Sequence, residues 1–137
     1  MRLSYHFVIV WLSLLLFTGC THTLPSPMRH AQHTAYQISH IHFDPNTRIH
    51  VNSTTKLLLP EFEKIYELGQ KDRVQGLSRD EAQQRVNSML APDFLPESSM
   101  RMKFFSQQYS VDNPEDSRRI HIDGLTKTYW DGFEGRQ

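Results

Sequence analysis

The residues of this sequence best suited to chemistry are its histidines, five of which, out of eight, fall between His30 and His50. The pairs His30-x-x-His33 and His40-x-His42 could each supply two imidazole ligands to zinc or copper. On a helix, however, ligands three residues apart are less favourable than ligands four apart, and no cysteine joins these pairs. We therefore expect no metal and a surface or half-buried cluster whose partner binding is sensitive to pH. Metal binding by the His30–His50 cluster remains an alternative.

Other catalytic patterns are missing from the sequence. It contains no nucleophile elbow, no glycine-rich phosphate loop and no paired-carboxylate arrangement. Serine, aspartate and histidine occur singly, so a catalytic triad would have to assemble in space. We therefore expect a protein that is not an enzyme and has no cofactor.

Tyrosine–glycine spacing is the most distinctive local pattern. Tyr66, Gly69, Asp72 and Gly76 lie in one predicted helix and are partly echoed by Tyr129, Gly132 and Gly135 near the C-terminus. A glycine inside a helix costs about 1 kcal/mol relative to alanine, so it needs a packing reason. A glycine three residues after a tyrosine lies on the same face. The pattern predicts that two helices pack through these faces, with a peptide or partner groove on the same faces as the alternative. Asp72 and Asp131 are expected to hydrogen-bond the ends of facing elements.

The N-terminus has the pattern of an export signal. Arg2 precedes an apolar run of 11 residues, 7–17, and small residues follow it. Phe17, Thr18, Gly19 and Cys20 resemble the lipobox of bacterial lipoproteins, with Phe17 in place of the usual leucine. We expect residues 1–19 to be removed and Cys20 to carry lipid.

Cys20 is the single cysteine of the chain, so it cannot close an internal disulfide after export. Lipidation turns its thiol into a thioether, and the resemblance implies two or three acyl chains. One chain anchors a protein only marginally, whereas two or three make the attachment effectively permanent. An uncleaved anchor helix, or cleavage elsewhere, is the alternative.

Three helices are marked by their ends. Ser26 and Pro27 predict a first helix, with Ser26 as N-cap, running through Phe43. Residues 44–55 are expected to be a loop. Pro60 is expected to open a second helix that ends at Gly76. Ser78 and Glu81 form a capping box that predicts a third helix with Ala82, Val86, Met89 and Leu90 buried, which completes a central helical hairpin over residues 60–90.

The region 97–122 is ambiguous. Met100, Met102 and Phe104 alternate as in a strand, whereas Met100, Phe104 and Phe105 also suit a helix. A turn at residues 112–114 and alternation over residues 118–122 fit a β-hairpin near residues 100–122. A last helix is expected over residues 123–133. The fold class predicted is mainly α: a tether at residues 20–27 and a single small domain at residues 28–137.

Charge and hydropathy argue against a nucleic-acid-binding protein and against a second membrane span. The chain has 15 Lys+Arg and 15 Asp+Glu, and loss of Arg2 with the leader leaves 14 against 15, a net charge of −1. A nucleic-acid-binding domain usually has a clear basic excess, so no nucleic-acid partner is expected. Mean hydropathy is −0.54, and after the leader no apolar stretch approaches the roughly 20 residues of a spanning helix.

These motifs carry a family resemblance. The lipobox, residues 66–78 (YELGQKDRVQGLS), residues 81–87 (EAQQRVN) and residues 129–135 (YWDGFEG) resemble the Exc-type entry-exclusion lipoproteins of mobilisable plasmids. The resemblance covers about half of the chain. It implies an envelope protein that reduces uptake of related plasmids, and Cys20 is the one functional position that it transfers.

We therefore expect a lipid-anchored protein of the cell envelope. In enterobacterial lipoproteins an aspartate after the lipidated cysteine often signals retention in the inner membrane, so by this resemblance Thr21 implies the outer membrane, facing the periplasm. Its partners would be the membrane, through the anchor, and an envelope or conjugation protein. A structural or accessory outer-membrane lipoprotein is the alternative.

Overall fold

The computed structural model describes residues 24–41, 49–91, 93–95, 102–104, 107–109 and 113–137. Within these ranges the elements follow in the order α1 (Ser26–His40), α2 (Val51–Val74), α3 (Arg79–Met89), β1 (Met102–Phe104), β2 (Gln107–Tyr109) and α4 (Pro114–Glu134). The prediction of a mainly α protein is confirmed. The predicted leader, the lipobox and Cys20 lie outside the described residues.

Helices α1, α2 and α4 all pack against one another, and α3 packs along α4. Ser26, at the start of α1, bonds to Asp131 near the end of α4, so these two helices run antiparallel. Arg79, at the start of α3, bonds to Glu134 at the end of α4, so α3 is also antiparallel to α4.

Helix α2 ends beside the end of α4. We call this end of the molecule the basal end, and define it as the start of α1, the turn 75–78 between α2 and α3, and residues 134–137. The predicted tether would leave the fold here.

An apolar core fills the space between the helices. Every helix contributes to it, and its members share almost complete exclusion from solvent. They are Ala31, Phe62, Ile65, Ala82, Val86, Met89, Leu95, Ile122, Leu125 and Tyr129.

Helix α1 begins differently from the prediction. Pro25 is its N-cap and gives no side-chain hydrogen bond, while Ser26 is already helical. The expected N-cap role of Ser26 is therefore wrong, because its hydroxyl bonds to Asp131 instead. The helix ends at His40 rather than at Phe43.

Helix α2 is longer than predicted. It begins at Val51, so the expected loop over residues 44–55 is wrong from residue 51 onward, and Pro60 lies inside the helix rather than at its start. An interior proline costs about 3 kcal/mol. The partly buried Leu58 and Leu59 pack against the core and continue the apolar stripe of Phe62 toward the N-terminus. Burial of that added stripe offsets the cost of Pro60.

The turn between α2 and α3 follows the prediction closely. Gly76 has φ +77°, the left-handed conformation that ends a helix. The capping box is confirmed, since Ser78 accepts from the amide of Glu81 and the Glu81 carboxylate accepts from the amide of Ser78. Ala82, Val86 and Met89 are buried, but Leu90 is exposed because it lies beyond the end of α3.

Helix α4 begins nine residues earlier than predicted, at Pro114. The β-hairpin predicted near residues 100–122 needed residues 118–122 as its second strand, and that part is wrong because they are helical. Asn113-Pro114 begins the helix instead of forming a turn. Strands β1 and β2 pair antiparallel, with Met102 opposite Tyr109 and Phe104 opposite Gln107.

Candidate functional site

The two predicted glycine faces lie against each other. A methyl group on Gly69 would overlap the carbonyl oxygen of Tyr129, and one on Gly132 would overlap the carbonyl oxygen of Tyr66. The backbones of α2 and α4 therefore meet where neither helix has a side chain. Each glycine face is covered by the facing helix, so a peptide or partner cannot bind between them at this contact.

The other members of the predicted set separate into two groups. Tyr66 donates from its hydroxyl to the backbone oxygen of Arg136, at 2.8 Å, and so reaches the basal end. Gly76 lies in the α2–α3 turn, and no heavy atom of the described chain comes within 4 Å of a β-carbon built there. Gly76 thus serves the turn, not the contact between helices.

Asp72 is a buried carboxylate with two donors. It accepts from the hydroxyl of Tyr129 at 2.8 Å and pairs with Nε of Arg85 at 2.6 Å. Burial first, and then the hydrogen bond to Asp72, raise the pKa of Tyr129 to about 12. Burial and this bond together keep Tyr129 protonated, and Asp72 ties α2, α3 and α4 together.

Asp131 is the centre of a larger polar cluster at the basal end. Its Oδ2 accepts from the hydroxyl of Ser26 at 2.6 Å and from Nε2 of His30 at 2.8 Å. Arg29 donates to the same oxygen at 3.0 Å, and Arg136 donates from Nε to Oδ1 at 2.7 Å. The side chain of Asp131 is 8% exposed. One carboxylate thus joins the first turn of α1 to the end of α4.

The charge state of Asp131 follows from these donors. Burial would raise its pKa, but the hydrogen bonds from Ser26, His30 and Arg136 outweigh burial and lower the pKa to about 2. An ionised carboxylate can only accept hydrogen bonds, so Nε2 of His30 carries the hydrogen.

Serine, histidine and aspartate meet in this cluster, but not in the order of a hydrolase triad. In a triad the serine hydroxyl bonds to the imidazole, which removes its proton. Here the hydroxyl of Ser26 bonds directly to Asp131. The arrangement therefore holds α1 in place and does not activate Ser26.

A surface pocket of about 350 Å³ opens beside this cluster. Its walls come from α1, α3, the end of α4 and the residues just after it. They are His30, Arg79, Gln83, Lys127, Trp130, Asp131, Glu134 and Arg136.

Cations form most of the accessible rim of the pocket. The side chains of Arg79, Lys127 and Arg136 are 73%, 54% and 54% exposed. Arg79 also lies 4.9 Å from the centre of the Trp130 ring, within the range of a cation–π interaction. Of the two carboxylates in the lining, Asp131 is buried and Glu134 pairs with both Arg79 and Arg136. The pocket therefore offers donors and positive charge to a ligand.

The histidines of the predicted cluster are used separately. His30 bonds to Asp131, whereas Nδ1 of His40 bonds to the carbonyl oxygen of Tyr36 at 2.9 Å. His42 lies outside the described residues. Among the residues that the structure describes, no group of three or more His, Cys, Asp or Glu side chains could hold a metal ion.

Asp131 was predictable from the sequence as a hydrogen-bonding residue, but the donors around it and the pocket were not. Ser26 and Asp131 are separated by 105 positions, so no local spacing connects them. The one available signal was the Arg29-His30 pair in the first turns of α1, which places hydrogen-bond donors where a helix usually has acidic residues.

Comparisons with protein-family models, with curated proteins and with solved structures give no match to this chain. Within the described part of the chain, none of the helices combines the length and the apolar character needed to cross a bilayer.

Proposed function

We propose that this chain is a lipid-anchored protein of the cell envelope that acts by binding rather than by catalysis, and that its role is plasmid entry exclusion. The leader that ends in Thr18-Gly19-Cys20 supports the anchor. The resemblance to Exc-type lipoproteins supports entry exclusion, at the outer membrane on the periplasmic side.

One observation carries the proposal: Ser26, six residues after Cys20, is bonded to Asp131. Six residues span at most about 22 Å when fully extended. An anchor on Cys20 would therefore hold the basal end next to the bilayer and leave the opposite end free. A domain held in this way suits a protein that binds a partner at the membrane.

The packing of the family-like segments is consistent with a binding scaffold. Residues 66–78 and 129–135 contribute both sides of the contact between Gly69 and Gly132, and residues 81–87 form part of α3. These segments lie at the centre of the helical packing, so the resemblance concerns the frame of the domain. The cluster around Asp131 fits binding better than catalysis, because Ser26 is bonded away from the imidazole.

The test is conjugation frequency into recipients that express wild type or Cys20→Ala, with equal accumulation of the two proteins checked by immunoblot. We expect wild type to lower plasmid uptake and the variant to lose that effect. Mass spectrometry of the purified protein tests the acyl chains on Cys20 independently. If wild type leaves uptake unchanged across several donor plasmids, entry exclusion is refuted, and an accessory role in the envelope takes its place.

A further inference from the structure

We infer that the pocket at the basal end binds the phosphate group of a phospholipid headgroup in the membrane that holds the anchor. This inference rests on the proposed lipid anchor. It adds a second, non-covalent membrane contact to the covalent one.

The charge of the pocket indicates an anionic ligand. Arg79 and Lys127 are more than half exposed, and each forms one ion pair, with Glu134 and Asp123 respectively, so their remaining N–H groups can reach a ligand. Arg136 adds positive charge to the rim, but its guanidinium is already paired with Asp131 and Glu134. The carboxylates in the lining compete weakly, because Asp131 is buried under four donors and Glu134 is shared between two guanidinium groups. Guanidinium groups bind phosphate oxygens through paired hydrogen bonds.

The position of the pocket indicates a ligand in the bilayer. The predicted tether leaves the fold at Ser26, whose hydroxyl shares the Asp131 carboxylate with His30, a residue of the pocket wall. The tether of about 22 Å lets this end reach the headgroup layer. The far ends of the helices lie farther away, since a helix of 24 residues such as α2 is about 36 Å long.

Exposed apolar residues beside the start of α1 and the end of α2 also suit a membrane surface. Val74, in the last turn of α2, is 86% exposed, and Leu24, just before α1, is about half exposed. Trp130 lines the pocket itself. Tryptophan favours the interface between headgroups and acyl chains, and a few apolar side chains beside cations are typical of surfaces that lie on a bilayer.

Trp130 gives a direct measurement of binding. The chain has two tryptophans, Trp11 in the leader and Trp130, so removal of the leader leaves Trp130 as the single fluorescent indole. The mature lipidated protein is held in micelles of dodecyl maltoside, a detergent without phosphate, and titrated with a water-soluble short-chain phosphatidylglycerol. We expect a saturable change in Trp130 emission, and quenching when brominated phosphatidylglycerol is used.

Charge-removing variants test the pocket. Each cation near an anionic lipid surface contributes enough to change binding about fivefold. Arg79→Gln and Lys127→Gln should each weaken the response by about that factor. Arg119→Gln removes an equally exposed arginine that pairs with Asp116 outside the pocket, and should leave the response unchanged. Circular dichroism shows whether the variants remain folded.

Three outcomes overturn the inference. The first is a titration without saturation in wild type, and the second is an equal loss in Arg119→Gln. The third is saturation by inorganic phosphate at the same concentration as the lipid, which would identify a site for free phosphate. Acylation of Cys20 is measured separately by mass, so an absent anchor and an inactive pocket give different results.

Discussion

Replacing Gly69 with alanine tests the close contact with Gly132, because helix propensity and overpacking change the stability of the fold in opposite directions. Replacing a helical glycine with alanine stabilises an unhindered helix by about 1 kcal/mol. In Gly69→Ala, however, the new methyl group would overlap the carbonyl oxygen of Tyr129 and lie 2.8 Å from the amide nitrogen of Phe133. Both are backbone atoms, so α2 and α4 must move apart.

The expected magnitude follows from the cost of that movement. Overpacking costs about 1–3 kcal/mol, and even a small gap between packed helices loses a substantial part of their dispersion energy. Tyr129, whose carbonyl oxygen meets the new methyl group, is fully buried, so we take the upper end, about 3 kcal/mol. After subtraction of the helix propensity gain, Gly69→Ala should lower the free energy of unfolding by about 2 kcal/mol.

The assay is urea unfolding of the chain from Thr21 onward, followed by far-UV circular dichroism. For a domain of this size the midpoint should fall by about 1 M without a change in slope. Gly76→Ala is the matched control, because its β-carbon meets no described atom within 4 Å and it costs about 1 kcal/mol through its positive φ alone. An unchanged or raised midpoint in Gly69→Ala would refute the close helix contact.

Three further predictions concern polar groups. Because the pKa of Asp131 lies near 2, below its ordinary 3.8, ionised Asp131 stabilises the fold above about pH 4. That contribution of about 2 kcal/mol is lost as pH falls to about 2, so acid unfolding of Asp131→Asn should lack this step. Because the pKa of Tyr129 is raised to about 12, its protonated hydroxyl stabilises the fold below about pH 10. That stabilisation is lost as pH rises to about 12. An ultraviolet titration should show one late phenolate, absent in Tyr129→Phe. Ser78→Ala should lower stability by about 1 kcal/mol through loss of the capping box, measured by the urea midpoint.

Matched variants keep these predictions specific. Asp123→Asn breaks an exposed pair with Lys127 and should preserve the acid step that Asp131→Asn removes. The reasoning about Tyr129 fails if the late phenolate persists in Tyr129→Phe. The reasoning about Ser78 fails if Ser78→Ala unfolds at the wild-type urea concentration.

Residues that act on their near neighbours in sequence were enough to predict the turn between α2 and α3, but not the starts of α2 and α4. The α2–α3 turn was predictable because its determinants, Gly76, Ser78 and Glu81, act within six residues. The starts of α2 and α4 were not, because each depends on packing. Pro60 by itself favours a helix start, whereas partial burial of Leu58 and Leu59 against the core lets the helix continue through it. Asn113-Pro114 fits both a turn and a helix start, and burial of Ile122 and Leu125 on one face decides for the helix.

The candidate site was less predictable than the fold. The tyrosine–glycine spacing indicated which faces of α2 and α4 would meet. A glycine inside a helix lowers the stability of that helix, and close packing against another helix offsets the loss. The donors around Asp131 come from the two ends of the chain, and they meet because α1 and α4 are antiparallel. A single sequence contains no spacing that encodes this meeting.

The bond between Ser26 and Asp131 has a mechanical consequence. A pull on an anchor at Cys20 would enter the fold at the first turn of α1, and Asp131 would pass that load directly to α4. Helix α1 would therefore resist peeling as part of a pair instead of alone. The force that detaches it would depend on the charge of one carboxylate, so stretching from residue 20 should rupture Asp131→Asn at lower force than wild type.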